Sequence, residues 1–386
     1  MTAPAHPGVS EAHLALAKIY SSPSLSGPPL SGKLIALVEH MYTEEEADIL
    51  RHLKPMRAKK ATSLAKAARR PVGEVAAILK RLAHEMNLIL PVGRDGDERY
   101  SLLPVVPGTF EWALMRPTTD DLTEWHTRFA ELFEDLFETG YIGDYAGKPA
   151  PAIRYIPVGE VIESLPSALP SDKLEDILDR YDQYSIAVCQ CRLSKKLIGE
   201  GCGKMLETCT AFGDIAGWLV QNGKAKSASR KDVLEVKSAA ESEGLVTWMF
   251  NVGNQSKYNG SCSCCGCCCG ALRAATQYHS IGMIAPPHFK PRFNKAECSY
   301  CGKCADICQM KAVLVESKGE EKSLTHVSEL CIGCGLCAVA CSKNAITMAE
   351  VPDYERPPAS WPRHALKYLP TTINNMRRVR NDRKRS

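Results

Sequence analysis

Residues 298–308 read Cys-Ser-Tyr-Cys-Gly-Lys-Cys-Ala-Asp-Ile-Cys, and residues 331–341 read Cys-Ile-Gly-Cys-Gly-Leu-Cys-Ala-Val-Ala-Cys. Both follow C-x2-C-x2-C-x3-C, through Cys298, Cys301, Cys304 and Cys308, then Cys331, Cys334, Cys337 and Cys341. Three cysteines spaced by two residues wrap a tight loop round one compact centre. The chain then turns into a helix, which carries the fourth away. Thiolates are the soft ligands that iron in clusters prefers. Gly302, Gly333 and Gly335 suit loops whose amides approach the bound group closely.

The doubled motif resembles the bacterial two-cluster ferredoxins over about residues 292–350. The resemblance implies two [4Fe–4S] clusters with crossed ligation. Cluster one takes Cys298, Cys301, Cys304 and Cys341; cluster two takes Cys331, Cys334, Cys337 and Cys308. The chain departs from that family after each fourth cysteine, where the expected proline is Gln309 and Ser342. Lys311-Ala312-Val313 and Asn344-Ala345-Ile346 keep the small apolar continuation. Altered rigidity or potential is expected, with ligation kept. Zinc, the alternative, usually sits between two CxxC pairs, not two quartets with crossed ligands.

All 18 cysteines lie between Cys189 and Cys341. Ten fall outside the doubled motif. Cys189-x-Cys191-Arg192, Cys202 and Cys209 form one group, four cysteines able to close round one cluster. Cys262, Cys264, Cys265, Cys267, Cys268 and Cys269 form another. Adjacent side chains of a strand point to opposite faces, so one cubane does not take all six; some join the first group or point away. A reactive thiol patch, another metal or persulfide chemistry is the competing reading. Gly199–Lys204 superficially suggests a phosphate loop, but its glycine spacing is not that of a Walker A motif.

The order Cys-x-Cys-Arg, Gly-x-Gly-Cys, Cys-x-x-Phe-Gly, Cys-Cys-Gly-Cys-Cys-Cys-Gly and a dicluster module resembles a family of 4Fe–4S-binding proteins common in anaerobes, over residues 150–350. The resemblance implies iron–sulfur electron transfer beside larger redox enzymes. Three or four [4Fe–4S] clusters are expected. Four cubanes at four thiolates each leave two of the 18 cysteines spare.

The remaining sequence fixes the setting. Net charge is +4, and it is local: between Met376 and Ser386 stand six basic residues and only Asp382. No apolar run is long enough to cross a bilayer, and Met1–Ser10 lacks the order of a signal peptide. A cytoplasmic location follows as the expectation, where thiols stay reduced.

An α+β multidomain chain is expected. Residues 1–32, rich in Ala, Pro, Ser and Gly, read as a flexible N-terminus. Residues 33–107 resemble a winged helix-turn-helix in element order. A capping box at Thr43–Glu46 opens one helix, Thr62–Ala68 is a second, and Pro71 starts a third. A hairpin follows round the Asp95-Gly96 turn. Residues 108–149 read as linker and amphipathic helix, with Leu122, Trp125, Phe129, Leu132, Phe133, Leu136 and Phe137 at helical spacing. That stripe packs within the chain or makes a homodimer.

Residues 150–291 form an α/β middle region with the cysteine-rich cluster sites. Ser171 is expected to cap its first helix, Phe212–Val220 to be helical, and Ser229–Asp232 to open another helix. Residues 292–350 are the dicluster module. Residues 351–386 are a Pro-rich segment and a basic tail, read as a disordered docking arm or a solvated end.

The favoured function is a relay passing electrons to or from a partner oxidoreductase, rather than a stand-alone enzyme. No flavin or nicotinamide fingerprint is present. The alternatives are a redox-sensing winged-helix regulator on DNA, the lesser reading, and a catalyst with a special cluster in residues 189–269. For DNA the candidate contacts are Glu74, Lys80, Arg81 and His84, with Lys59, Lys60, Lys66, Arg69 and Arg70 on phosphates. His279 and His288 are read as surface or packing residues.

Overall fold

Ser10 opens the first helix, its hydroxyl accepting the His13 amide at 3.2 Å ahead of α1 (Glu11–Tyr20). The computed structural model describes residues 8–385, apart from Met56, 94–96 and 319–320. The expected flexible N-terminus is therefore corrected from residue 10 onward. Leu16, Ala17 and Tyr20 are fully buried, because an apolar helical face and a serine cap outweigh the Pro/Ser/Gly composition around them.

Next come α2 (Gly32–Met41) and α3 (Glu44–Leu50). The Thr43 hydroxyl accepts the Glu46 amide, and the Glu46 carboxylate accepts the Thr43 amide at 2.9 Å. Thr43→Ala breaks this box and is expected to cost about 1 kcal/mol, read as a lower Tm in thermal denaturation.

Then follow β1 (Lys59–Lys60), α4 (Ala61–Ala68), α5 (Val72–His84), β2 (Leu90–Val92) and β3 (Arg99–Ser101). Pro71 stands at the N-cap of α5. The strands form an antiparallel sheet in the order β1-β3-β2. The Asp95-Gly96 turn lies outside the described residues.

The segment expected as a linker is packed. Phe110 and Leu114 of α6 (Phe110–Leu114) share one core with α1, α2, α5 and the apolar face of α7 (Glu124–Phe137). Phe110 stacks on Phe133 at 3.9 Å. The stripe on α7 is thus covered within the chain.

The middle region comprises β4 (Ile153–Ile156), α8 (Leu174–Leu178), β5 (Tyr184–Ala187), α9 (Gln190–Leu197), β6 (Cys209–Gly213), α10 (Asp214–Gln221), β7 (Lys226–Ala228), α11 (Arg230–Ser242), β8 (Val246–Phe250), β9 (Tyr258–Cys264) and α12 (Gly270–Gln277). Its strands run β4-β8-β9-β6-β5-β7, antiparallel at every pairing. The expected α/β arrangement is therefore corrected to α+β.

Two local readings also change. Lys173, not Ser171, stands at the N-cap of α8. Phe212 and Gly213 end β6 instead of starting α10, because Phe212 pairs with Tyr184 and Asn259. The Ser229–Asp232 capping box is present at α11.

The C-terminal module contains β10 (Phe289–Phe293), α13 (Lys303–Asp306), β11 (Val313–Lys318), β12 (Glu321–His326), α14 (Leu336–Val339) and β13 (Ile346–Glu350). β10 pairs with β13 and β11 with β12. The Pro-rich segment straps the β8–β9 turn: the Gly253 and Gln255 amides donate to the Pro358 and Ala359 carbonyls at 2.7 and 2.8 Å.

The basic tail is a helix, α15 (Trp361–Arg385), not a disordered arm. Asn375 bonds the Lys148 backbone. Arg383 reaches the Ser21 and Gly27 carbonyls and the Asp144 carboxylate. Among the described residues no helix is long and apolar enough to cross a membrane.

Candidate metal centre

In the C-terminal module, each run of cysteines ends at a short helix entered through a glycine. Gly302 (φ +82°) precedes α13 and Gly335 (φ +80°) precedes α14, both in the left-handed region that glycine adopts without strain. One cavity is lined by Cys298, Cys301, Cys304 and Cys341. A second is lined by Cys308, Cys331, Cys334 and Cys337. The Tyr300 amide points to Cys298 Sγ at 3.4 Å, and the Ala312 amide to Cys308 Sγ at 3.2 Å. Such donors stabilise thiolate charge. Cys301 is exposed, so the first cavity opens to the surface. The second lies deeper, and burial pushes the Cys334 thiol up to about 12.

The other ten cysteines divide four and six, not along the sequence groups. The sulfurs of Cys202, Cys265, Cys267 and Cys268 all lie within 4.8 Å of one another. Cys202 and Cys265 are 3.9 Å apart, and Cys267 and Cys268 3.7 Å. The grouping of Cys202 with Cys189, Cys191 and Cys209 is thereby corrected. The reason is length: the eight residues of α9 carry the chain about 12 Å before it returns through Cys202. Hydrogen bonding from Cys268 brings the Cys265 thiol down to about 5.

Cys189, Cys191, Cys209, Cys262, Cys264 and Cys269 gather in a second group. Its floor is the sheet. The register that pairs Thr210 with Ser261 sets Cys209 beside Cys262, and their thiols hydrogen-bond. Cys264 follows on the same face of β9 and bonds both Cys262 and Cys269. The walls are two helix N-termini. Cys189 is the N-cap of α9 and Cys269 the N-cap of α12. Cys191 contacts Cys269 and accepts the Gly270 amide. Burial pushes Cys189 up to about 11, against the pull of Arg192. Thiol hydrogen bonds from Cys209 and Cys264 hold Cys262 well below the usual thiol range.

The charges round these sulfurs are cationic. Arg192 is 2% exposed. It donates to the Met205 carbonyl at 2.8 Å, the Ser263 carbonyl at 2.6 Å and the Thr208 hydroxyl. Burial would lower its pKa, but Cys189 of the six-thiol group and Cys265 of the four-thiol site outweigh that. Lys237, 1% exposed, reaches Ser263 Oγ at 3.2 Å, and burial pushes it down to about 8. Neither makes an ion pair with a carboxylate among the described residues. Buried cations need compensating charge, and the thiolates stand where that charge would be.

Glu134 of α7 clamps the walls together. Its carboxylate takes Arg273 of α12 and, at 2.7 Å, Lys195 of α9. Each cation lies one helical turn beyond a cysteine of the six-thiol group, Cys269 and Cys191. The Tyr155 hydroxyl is buried without a hydrogen-bond partner among the described residues. It lies near Cys262, Cys264 and Cys269, and also near Cys334.

Arg192 was visible in its motif. Glu134, Lys237 and Tyr155 were not, since each sits in an ordinary amphipathic or strand pattern. His288 packs, as read, against Asp172 at 2.8 Å and under Tyr354.

Thiol-only sites, a 4Fe–4S domain near the C-terminus and a distant ferredoxin relative support an iron–sulfur protein. A 4Fe-4S binding domain model matches residues 324–347. An uncharacterized ferredoxin of Methanocaldococcus jannaschii is 32% identical over 94 residues, covering 24% of this chain and 52% of that protein. The chain thus spans about half the length of this curated relative. No solved structure matches.

Proposed function

We propose that the protein is an electron relay serving a partner oxidoreductase, built on two ferredoxin-type [4Fe–4S] clusters with further thiolate-bound metal in the middle region. One observation carries this reading: the 18 cysteines gather into four neighbouring thiol groups. Cluster one is assigned to Cys298, Cys301, Cys304 and Cys341, and cluster two to Cys308, Cys331, Cys334 and Cys337. The sulfurs of Cys202, Cys265, Cys267 and Cys268, all within 4.8 Å of one another, suit a single tetrahedrally bound ion at a metal–sulfur distance of about 2.3 Å, and a further centre is assigned to the six-thiol group. When bound, the clusters supply one-electron storage. The chain holds them and sets their potentials through buried charge and amide donors.

Neighbouring groups share covalent links. Cys264 and Cys265 are adjacent in sequence but face different sites, as do Cys268 and Cys269. Cluster one, beside exposed Cys301, is the contact for the redox partner.

The order α3-β1-α4-α5-β2-β3 supports reading residues 33–107 as a winged helix. On its third helix Arg81 pairs with Glu46, His84 with Glu98 and Glu74 with Arg70, while Lys80 is exposed and makes no ion pair among the described residues. That favours a role in covering the cluster sites or docking protein over DNA readout.

Iron and sulfide counting with EPR, on anaerobically purified protein, tests the relay. More than about eight irons per chain are expected, about eight from the two ferredoxin cubanes and the rest from the middle region; about eight would leave the ferredoxin clusters alone and overturn the reading. Cys334→Ser is expected to lose about four irons and the cluster-two EPR signal. Full retention of iron would remove Cys334 from the ligand set.

A further inference from the structure

Among the described residues, Cys202, Cys265, Cys267 and Cys268 are the one set of thiols in which every sulfur lies within 4.8 Å of every other. An ion about 2.3 Å from four sulfurs in a tetrahedron holds each pair about 3.8 Å apart. Cys202 and Cys265 stand at 3.9 Å, and Cys267 and Cys268 at 3.7 Å. These are two opposite edges of that tetrahedron, at the length it requires. The thiolates of a cubane sit further apart, each on its own iron.

The frame round the sulfurs is held from several sides. Arg192 bonds the Met205 carbonyl at 2.8 Å and the Ser263 carbonyl at 2.6 Å, joining the chain after Cys202 to the strand before Cys265. The Met205 amide donates to the Glu243 carboxylate at 2.9 Å, and Lys204 bonds the Glu243 carbonyl. The Gly266 amide, inside the Cys265–Cys268 turn, donates to the Gln309 side-chain oxygen at 2.8 Å. The Gln309 side-chain nitrogen donates to the Gly244 carbonyl at 2.8 Å. Cys265 and Cys268 pack with Ala240 and Leu245. Four thiolates round a divalent ion keep a net negative charge, and Arg192, which bonds Cys265, offsets part of it.

We infer that these four cysteines hold one zinc ion, a structural staple that stands outside the electron path. This rests on the relay reading, which places thiolate-bound metal in the middle region, and gives that metal a separate role here. Four thiolates leave no open coordination position, as in structural zinc sites, and Cys265 and Cys268 have the C-x2-C spacing common there. At one and the same site zinc binds more tightly than ferrous iron. Zinc has no redox chemistry, so the iron beyond the ferredoxin module belongs to the six-thiol group. The staple joins residues 63 positions apart, and β6, β7, β8 and β9 all lie within the loop it closes. Closing so long a loop takes much conformational freedom from the unfolded chain.

The test begins with zinc and iron counts on the full chain, purified anaerobically, and a zinc K-edge absorption spectrum of the same sample. One zinc per chain is expected, with four sulfur neighbours at about 2.3 Å. Cys202→Ser is expected to lose the zinc and melt at lower temperature while keeping the ferredoxin EPR signals. Cys334→Ser, in cluster two, is expected to keep the zinc.

A wild-type chain without zinc, zinc bound by nitrogen or oxygen, or zinc retained in Cys202→Ser would each overturn the inference. So would a mononuclear ferric EPR signal that disappears with Cys202→Ser, since iron would then fill the site. If Cys202→Ser fails to fold, Cys267→Ser, at the exposed ligand, carries the test. It should yield its zinc to EDTA at concentrations that leave the wild type loaded, and equal retention would contradict the assignment. The relay reading fails separately, if iron stays at about eight per chain whatever the zinc count.

Discussion

Glu134→Ala is expected to destabilise the folded protein by about 3–5 kcal/mol and to strip iron from the middle region. Glu134 is 7% exposed, and the side chains of Arg273 and Lys195 are buried with it. Removing the carboxylate leaves Arg273 without its ion pair. Lys195 keeps Glu200 at 2.6 Å. The loss reaches the metal sites because α9 and α12 present Cys189, Cys191 and Cys269 from their N-termini. Thermal denaturation and iron counting, both anaerobic, check this; wild-type Tm with full iron would contradict it.

The same clamp fixes the sign of a pH effect. Burial raises the Glu134 pKa, but hydrogen bonds from Arg273 and Lys195 outweigh it, and the net shift is downward. Its stabilisation is complete above the unfolded-state value and fades as pH falls through the folded-state value. The Tm gap between wild type and Glu134→Gln should therefore narrow toward acid and stay constant from neutral pH upward.

Arg192→Leu is the second large effect. It orphans the Met205 and Ser263 carbonyls and the Thr208 hydroxyl, and each buried unsatisfied group costs about 1–3 kcal/mol. It also removes a permanent positive charge between the two middle sites. The midpoint potential of the six-thiol centre should move negative, since a nearby cation favours the reduced, more anionic cluster. Arg192→Lys separates the two roles. It retains the charge but not the planar fork, so Tm should fall while the potential stays near wild type. EPR-monitored redox titration reads one effect and thermal denaturation the other. An unchanged potential in Arg192→Leu would show that the guanidinium acts only as a brace.

The sequence was most legible where ligation is local. The doubled C-x2-C-x2-C-x3-C runs announce their loops, and the Thr43 and Ser229 capping boxes announce helix starts. The division of the other ten cysteines was not legible, because it depends on pairing between distant strands. Only the β6–β9 register sets Cys209 against Cys262, and only the return of the chain after α9 moves Cys202 toward Cys265. Composition misled at both ends. Pro and Ser round α1 suggested flexibility, and six basic residues suggested a free tail, although Arg383 and Asn375 anchor it. Gln309 stood out as an absence of proline, but its partners, Gly266 and Gly244, lie 43 and 65 residues away.

The two cysteine pairs that face opposite ways across a single peptide bond also bear on how the protein matures. Filling the four-thiol site fixes the backbone at Cys265 and Cys268, and thereby sets the direction of Cys264 and Cys269. Neither middle site can be ordered while the other is slack. Metal uptake there should be all-or-none, and native mass spectrometry of partly reconstituted samples should find chains with both middle sites filled or both empty.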